Sequence, residues 1–247
     1  MLVKSQVKYI QSLGQKKFRD EEGVFVVEGP KMVGELMGVG NVRLSQLFAT
    51  GSWLESMDRG RLGDAVVTEV KEGELERISS LSTPNQVVAV FSRPVFRERD
   101  VAAEVSLLLD GIQDPGNMGT IIRIADWFGV GRIYASRDSA DIYGAKVVQS
   151  TMGSIVRVEV LYEDLPALVG RYPGLPVYAA VLGGVSIYAA PKLEKGMIVI
   201  GNESKGIRAE VLAATTKGIT IPRIGEAESL NAAVATGILL SHLVGKD

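Results

Sequence analysis

The stretch "SLLLDGIQDPGNMGTIIRIADWFGVGRIYAS", residues 106–136, decides the fold. It opens on a continuous apolar run, "SLLLD", and crosses a polar loop rich in Gly and Pro. A helical pattern then begins near Asn117, and a second apolar run, "GRIYAS", follows. Strands that are apolar at successive positions are buried on both faces, as in a parallel sheet covered by helices. "IVRVEV" (155–160), "PVYAAV" (176–181) and "MIVIG" (197–201) repeat the signal, with helical stretches between them. Residues 106–247 are therefore expected to form an α/β domain on a parallel sheet.

Upstream, shorter elements alternate. "KYIQSLGQKKFRDEEG" (8–23) reads as a helix running into a charged loop, and "KMVGELM" (31–37) has helical spacing. "VFVVEG" (24–29), "QLFAT" (46–50), "AVVTEV" (65–70) and "QVVAVFS" (86–92) read as strands. The charged, Pro-containing "RPVFRERDVAAEV" (93–105) is expected to be a linker. The expected division is thus a smaller α/β domain at 1–92, a linker at 93–105 and a second domain at 106–247.

Of the 247 residues, 46% are hydrophobic and 23% charged, ordinary for a soluble globular protein. No apolar run approaches the ~18 residues of a membrane span, and the first residues are too polar for a signal-peptide apolar region. The expected location is the cytoplasm. With no cysteine and one histidine, His242, the chain has no disulfide, cysteine nucleophile, thiolate zinc site or histidine-rich metal site. No metal is expected. His242 itself is read as structural. Lys and Arg number 27 against 29 acidic residues, so any nucleic-acid contact must be local.

Ligands of open parallel sheets lie beyond the carboxyl ends of the strands. Three polar loops fall there: "DGIQDPGNMGTIIR" (110–123), "GNESKGI" (201–207) and "IPRIGEAESLN" (221–231). "GNESKGI" lacks the Lys and Ser/Thr of a phosphate-binding P-loop, and no G-x-G-x-x-G follows the first strand. An NTPase or a dinucleotide-dependent dehydrogenase is thereby disfavoured.

Taken in order, the three loops resemble the three motifs of the SpoU family of RNA 2′-O-ribose methyltransferases, members of the SPOUT class. "PGNMGTIIRIADWFG" resembles the first, "IVIGNESKGI" the second and "ITIPRIGEAESLNAAVATGILL" the third. "KKFRDEEGVFVVEGPKMVGELM" and "STPNQVVAVF" resemble the L30e-like substrate-binding domain that many members carry. The resemblance implies a C-terminal sheet with a deep trefoil knot, S-adenosyl-L-methionine as cofactor, an RNA substrate (ribosomal ahead of transfer RNA) and a homodimer through the knotted domain. A catalytically inactive RNA-binding or ribosome-assembly factor of the same fold is the rival reading. The intact motif residues count against it.

The motifs also assign residues. Gly201, Ile221, Pro222 and Leu230 are implied for the cofactor pocket. Without the family, Gly201 reads as a strand end and Ile221 and Leu230 as core. Arg123 is implied as the catalytic group, with Asn117 orienting it; from the residues alone these are a surface arginine and a helix N-cap. A guanidinium stays protonated in proteins, so phosphate positioning and alkoxide stabilisation are preferred, with a base role left open. Glu203 is expected to hold its loop or Arg123 in place. Ser229 and Asn231 are implied to face cofactor and ribose, Ser229 also being the expected cap of the last helix. The densest basic run, Lys16, Lys17 and Arg19, is either a solvated helix end or the local RNA contact.

Overall fold

The structure is a computed structural model and describes residues 2–245. The chain folds into two compact units, Met1–Arg97 with Tyr143–Val156, and Glu98–Ile142 with Arg157–Asp247. Among the described residues no helix is long and apolar enough to cross a membrane.

The first unit runs α1 (Lys4–Ser12), α2 (Lys16–Glu22), β1 (Val24–Glu28), α3 (Pro30–Leu36), β2 (Leu44–Ala49), α4 (Gly51–Ser56), β3 (Val66–Glu69), α5 (Glu72–Leu75) and β4 (Val87–Ser92). Its sheet has the order β1-β4-β2-β3, with β4 antiparallel to β1 and β2, and β2 parallel to β3. Period-two alternation along β4 supplies two cores. Val87, Ala89 and Phe91 face one, Val88 and Val90 the other. The charged stretch read as a loop is instead helix α2. Lys16–Asp20 (2.5 Å) and Lys17–Glu21 (3.8 Å) pair one turn apart along it, and Gly23, at φ 65°, ends it in a left-handed cap.

The second unit holds β5 (Val105–Asp110), α6 (Pro115–Trp127) and β6 (Arg132–Ala135). The chain then contributes α7 (Ala145–Thr151) to the first unit before returning for β7 (Glu159–Tyr162), α8 (Leu165–Gly170), β8 (Val177–Ser186), β9 (Gly196–Gly201), α9 (Ala209–Ala213), β10 (Lys217–Thr220) and α10 (Ala232–Leu243). All six strands are parallel, in the order β10-β8-β9-β5-β6-β7. β5 is buried at every position, its apolar Val105 and Leu107–Leu109 as the sequence leads one to expect and Ser106 and Asp110 with them. From β5 the chain moves outward to β6 and β7 on one side, whereas β9 pairs with its other edge. The carboxyl ends of β5 and β9 therefore flank a topological switch point, where open α/β sheets bind ligands.

Two further expectations change. The strand expected at 155–160 begins only at Glu159, because Ile155 and Val156 form a buried 3₁₀ turn. Residues 143–156, expected within the second domain, pack with the first unit. Val148, Ile155 and Val156 join the cluster of Phe25, Leu47 and Phe91. Asn41 Nδ2 donates to Val156 O at 2.8 Å, and Arg93 lies 4.5 Å over the Tyr143 ring. The expected linker holds no helix or strand from Arg93 until β5 begins at Val105.

Candidate active site

The loop after β5 becomes a helix because "DPGN" supplies its start. Asp114 is the N-cap and accepts the Asn117 N–H at 2.8 Å, and Pro115 occupies the first helical position, where no N–H is needed. Asn117 is thus the third helical residue and not the cap, which leaves its side chain free for other work. Met118, Ile121, Ile122 and Ala125 bury the opposite face of α6.

Asn117 Nδ2 donates to Glu203 Oε1 at 2.5 Å, and Asn117 Oδ1 accepts from Asn231 Nδ2 at 2.9 Å. Asn231 Oδ1 in turn accepts the backbone N–H groups of Ala233 (3.0 Å) and Val234 (3.2 Å), capping α10. One residue from each of the three sequence motifs therefore stands in a single relay, Asn231 to Asn117 to Glu203. Its polarity is fixed at both ends. Helix amides demand an oxygen from Asn231, so its NH2 must face Asn117. A carboxylate demands a donor from Asn117, so its oxygen must face Asn231. Neither amide can flip without breaking a bond.

The 201–208 loop that carries Glu203 is tightly wound. Asn202 and Gly206 exchange backbone hydrogen bonds of 3.1 and 2.9 Å, and Asn202 Oδ1 accepts from the Ser204 and Lys205 N–H groups. Gly201 permits this turn, since a Cβ there would lie 2.5 Å from the Gly206 carbonyl carbon. The Arg208 guanidinium at its end bonds Asp110, the last residue of β5, and its pKa is raised chiefly by that bond. The sequence alone does not single out Asp110, Asp114, Asn202 or Arg208. The "DP" after the apolar strand was a readable capping signal for Asp114; nothing local marked the others.

The other expected site residues are less engaged. Arg123 is exposed and, among the described residues, makes no side-chain hydrogen bond or ion pair; Asn117 does not orient it. Glu203 likewise holds Asn117 and not Arg123. Ser229 is exposed and does not cap α10, because Asn231 sits one residue before the helix with its oxygen on the free N–H groups. Ile221 is half-buried and Pro222 and Leu230 are exposed, in the loop following β10, and Ile224 between them is fully exposed at 102%. Leu230 therefore does not take the core place that the residues alone suggest. Beside the relay, a groove of about 390 Å³ runs between α6 and α10, lined by Asn117, Thr120, Ile124, Asn231, Ala233, Val234, Gly237 and Ile238. His242 stacks edge-on to Tyr188 at 5.4 Å, a packing role.

In the first unit, Arg19 is only 4% exposed, and its Nη1 donates to Leu13 O at 2.6 Å. It holds the α1–α2 turn and is too buried to contact RNA. Lys16 and Lys17 remain exposed and pair with Asp20 and Glu21, Asp20 being shared with Arg93.

A model of the SpoU rRNA Methylase family matches residues 104–241, and one of the MRM3-like substrate binding domain matches residues 4–89. The chain belongs to the SpoU family. This SpoU protein is 32% identical over 248 residues to the 23S rRNA (guanosine(2553)-2'-O)-methyltransferase RlmP of Bacillus subtilis, covering 97% of this chain and 96% of that one. Its fold is similar to that of a TrmH-family protein from Porphyromonas gingivalis (TM-score 0.88, 41% identity, 98% of each chain). It is also similar to an AdoMet-bound rRNA methyltransferase from Sinorhizobium meliloti (TM-score 0.84, 30% identity, 98% of this chain and 95% of that one).

Proposed function

We propose that the protein is an S-adenosyl-L-methionine-dependent methyltransferase acting on a ribose 2′-hydroxyl of structured RNA, ribosomal RNA ahead of transfer RNA, in the cytoplasm. The observation that carries this reading is the relay from Asn231 through Asn117 to Glu203. It joins the three motif loops at the carboxyl ends of the strands. Membership of the SpoU family and similarity to RlmP support it.

Gly201, Ile221, Pro222 and Leu230 would hold the cofactor, by backbone groups and apolar contact. The cofactor supplies an electrophilic methyl group on a positive sulfonium sulfur. The chain's own task is to align the 2′-oxygen with that carbon and to stabilise the charge developing on the oxygen. Arg123, exposed and without a side-chain partner among the described residues, serves as the cation for phosphate and alkoxide. The relay holds α6, α10 and the Glu203 loop in one register, and Ser229 presents its hydroxyl toward the reacting groups.

In this reading the 1–92 region is the RNA-binding domain and the 106–247 region, apart from residues 143–156, which pack with the first unit, carries catalysis. The trefoil knot belongs to the proposal as a family trait. So does a homodimer through the second unit, for which the α6–α10 groove is the natural face: Trp127 stands 85% exposed at the end of α6 and Val234 52% exposed on α10. Incubation of the protein with tritiated S-adenosylmethionine and unmodified RNA tests the function, the label being expected in 2′-O-methylnucleosides.

A further inference from the structure

We infer that Asp110 and Arg208 are positioning residues for methyl transfer, clamping the 201–208 loop so that Glu203 meets Asn117. The inference rests on the methyl-transfer reading above. Asp110 ends a strand whose other residues, Ser106 aside, are apolar, and it is 1% exposed, a costly place for a carboxylate. Three donors of one residue meet it. Its Oδ2 accepts the Arg208 backbone N–H at 2.7 Å, and its Oδ1 accepts Nε at 2.7 Å and lies 2.5 Å from Nη2. A pair that served only the core would bury both partners, yet the Arg208 side chain is 45% exposed. What the pair does fix is the backbone of residue 208, where the loop ends and α9 begins.

The other end of the loop is tied to the next residue along. Asn202 Nδ2 donates to Gly111 O at 2.8 Å, and Gly201 pairs with Asp110 in the sheet. The loop therefore leaves and rejoins the same two residues, 110 and 111. Glu203 lies between the two attachments, its carboxylate on Asn117. Among the described residues neither Asp110 nor Arg208 bonds or ion-pairs with a member of the relay, so their influence on it passes through the loop. Asp138 (3.6 Å) and Glu210 (3.8 Å) also face Arg208, making it the shared cation of three carboxylates.

The test uses the full chain and Arg208→Lys, which keeps the charge and the backbone N–H but loses the planar fork. Methyl transfer from S-adenosylmethionine to unmodified RNA should fall on the order of 100-fold in single-turnover rate, as for displaced groups at a reacting centre. Backbone amides of Asn202 and Gly206 should exchange with deuterium about tenfold faster. Because Arg208 acts through Glu203, Arg208→Lys combined with Glu203→Gln should be no slower than the slower single variant, within about threefold. Arg132→Lys, at the Arg132–Glu159 pair of the same sheet (2.7 Å), should keep the wild-type rate. Asp110→Asn should reproduce Arg208→Lys; if it does not fold, Arg208→Lys decides. Wild-type turnover by Arg208→Lys, unchanged amide exchange, or losses that multiply in the double variant would each overturn the inference. No transfer by the wild-type chain would overturn the methyl-transfer reading instead, while exchange still decides whether the pair orders the loop.

Discussion

Asn231 divides its amide between two tasks, and substitution can separate them. Its oxygen caps α10 through two backbone N–H groups, and its nitrogen holds Asn117. Asn231→Ala removes both. The lost cap costs about 0.5–2 kcal/mol and the lost side-chain bond about 1 kcal/mol more. Together, at about 2–4 °C per kcal/mol, they should lower the melting temperature measurably. Asn231→Asp keeps an acceptor on the helix amides, where Asp caps as well as Asn and a negative charge gains about 0.3–1 kcal/mol from the helix dipole. It loses the donor, however. Asn117 must then either set its oxygen against the new carboxylate or turn and present that oxygen to Glu203. One bond of the relay fails in both cases, and two carboxylates stand at its ends. Asn231→Asp should therefore melt closer to wild type than Asn231→Ala, yet lose on the order of 100-fold in single-turnover methyl transfer. Ser229→Ala, with no cap to lose, should stay within about 0.5 kcal/mol in stability and lose rate. Melting curves and single-turnover rates on the three variants decide the matter. Near-normal turnover by Asn231→Asp would show that the relay is only helix-end structure.

Arg123→Ala should abolish methyl transfer to RNA while calorimetry finds S-adenosylmethionine affinity nearly unchanged and melting unaltered, since the side chain is exposed. Lys16→Ala and Lys17→Ala should each change RNA affinity less than about threefold, because both charges face carboxylates. Arg19→Ala should instead destabilise the fold by about 1–3 kcal/mol in denaturant titration, through the buried Leu13 carbonyl. The carboxyl of Asp20 is held below its usual 3.8 chiefly by its bond to Arg93, and that of Asp138 chiefly by Ser136. Their contribution to stability is present above pH 3.8 and lost as pH falls through the lowered folded values. Arg93→Gln should accordingly flatten the acid limb of the stability–pH curve.

Much of this arrangement was legible because burial leaves a mark on sequence. The unbroken apolar runs of β5 and β9 announced a parallel sheet, and the polar loops at their ends announced the ligand side. β10 carries little strand signal, since Lys217–Thr220 contributes only one fully buried residue, Ile219, in a stretch with Lys and Gly. α2 looked like a loop because its helix is held by charge pairs and not by an apolar stripe. The path of residues 143–156 could not be read, for a crossover helix has the same pattern whichever core receives it. The relay was invisible for a simpler reason: 86 and 114 residues separate Asn117 from Glu203 and Asn231. Asn117 also has a sufficient local explanation, a helix N-cap. Only the fold shows that Asn231 caps while Asn117 and Glu203 do not.

The most direct measurement is of where a transferred methyl group lies. RNA lacking this modification is incubated with the protein and tritiated S-adenosylmethionine, then digested to nucleosides and separated. The account predicts label in a single 2′-O-methylated nucleoside, with none transferred by Arg123→Ala. Label on a base, or no label under conditions where calorimetry finds the cofactor bound, would contradict it.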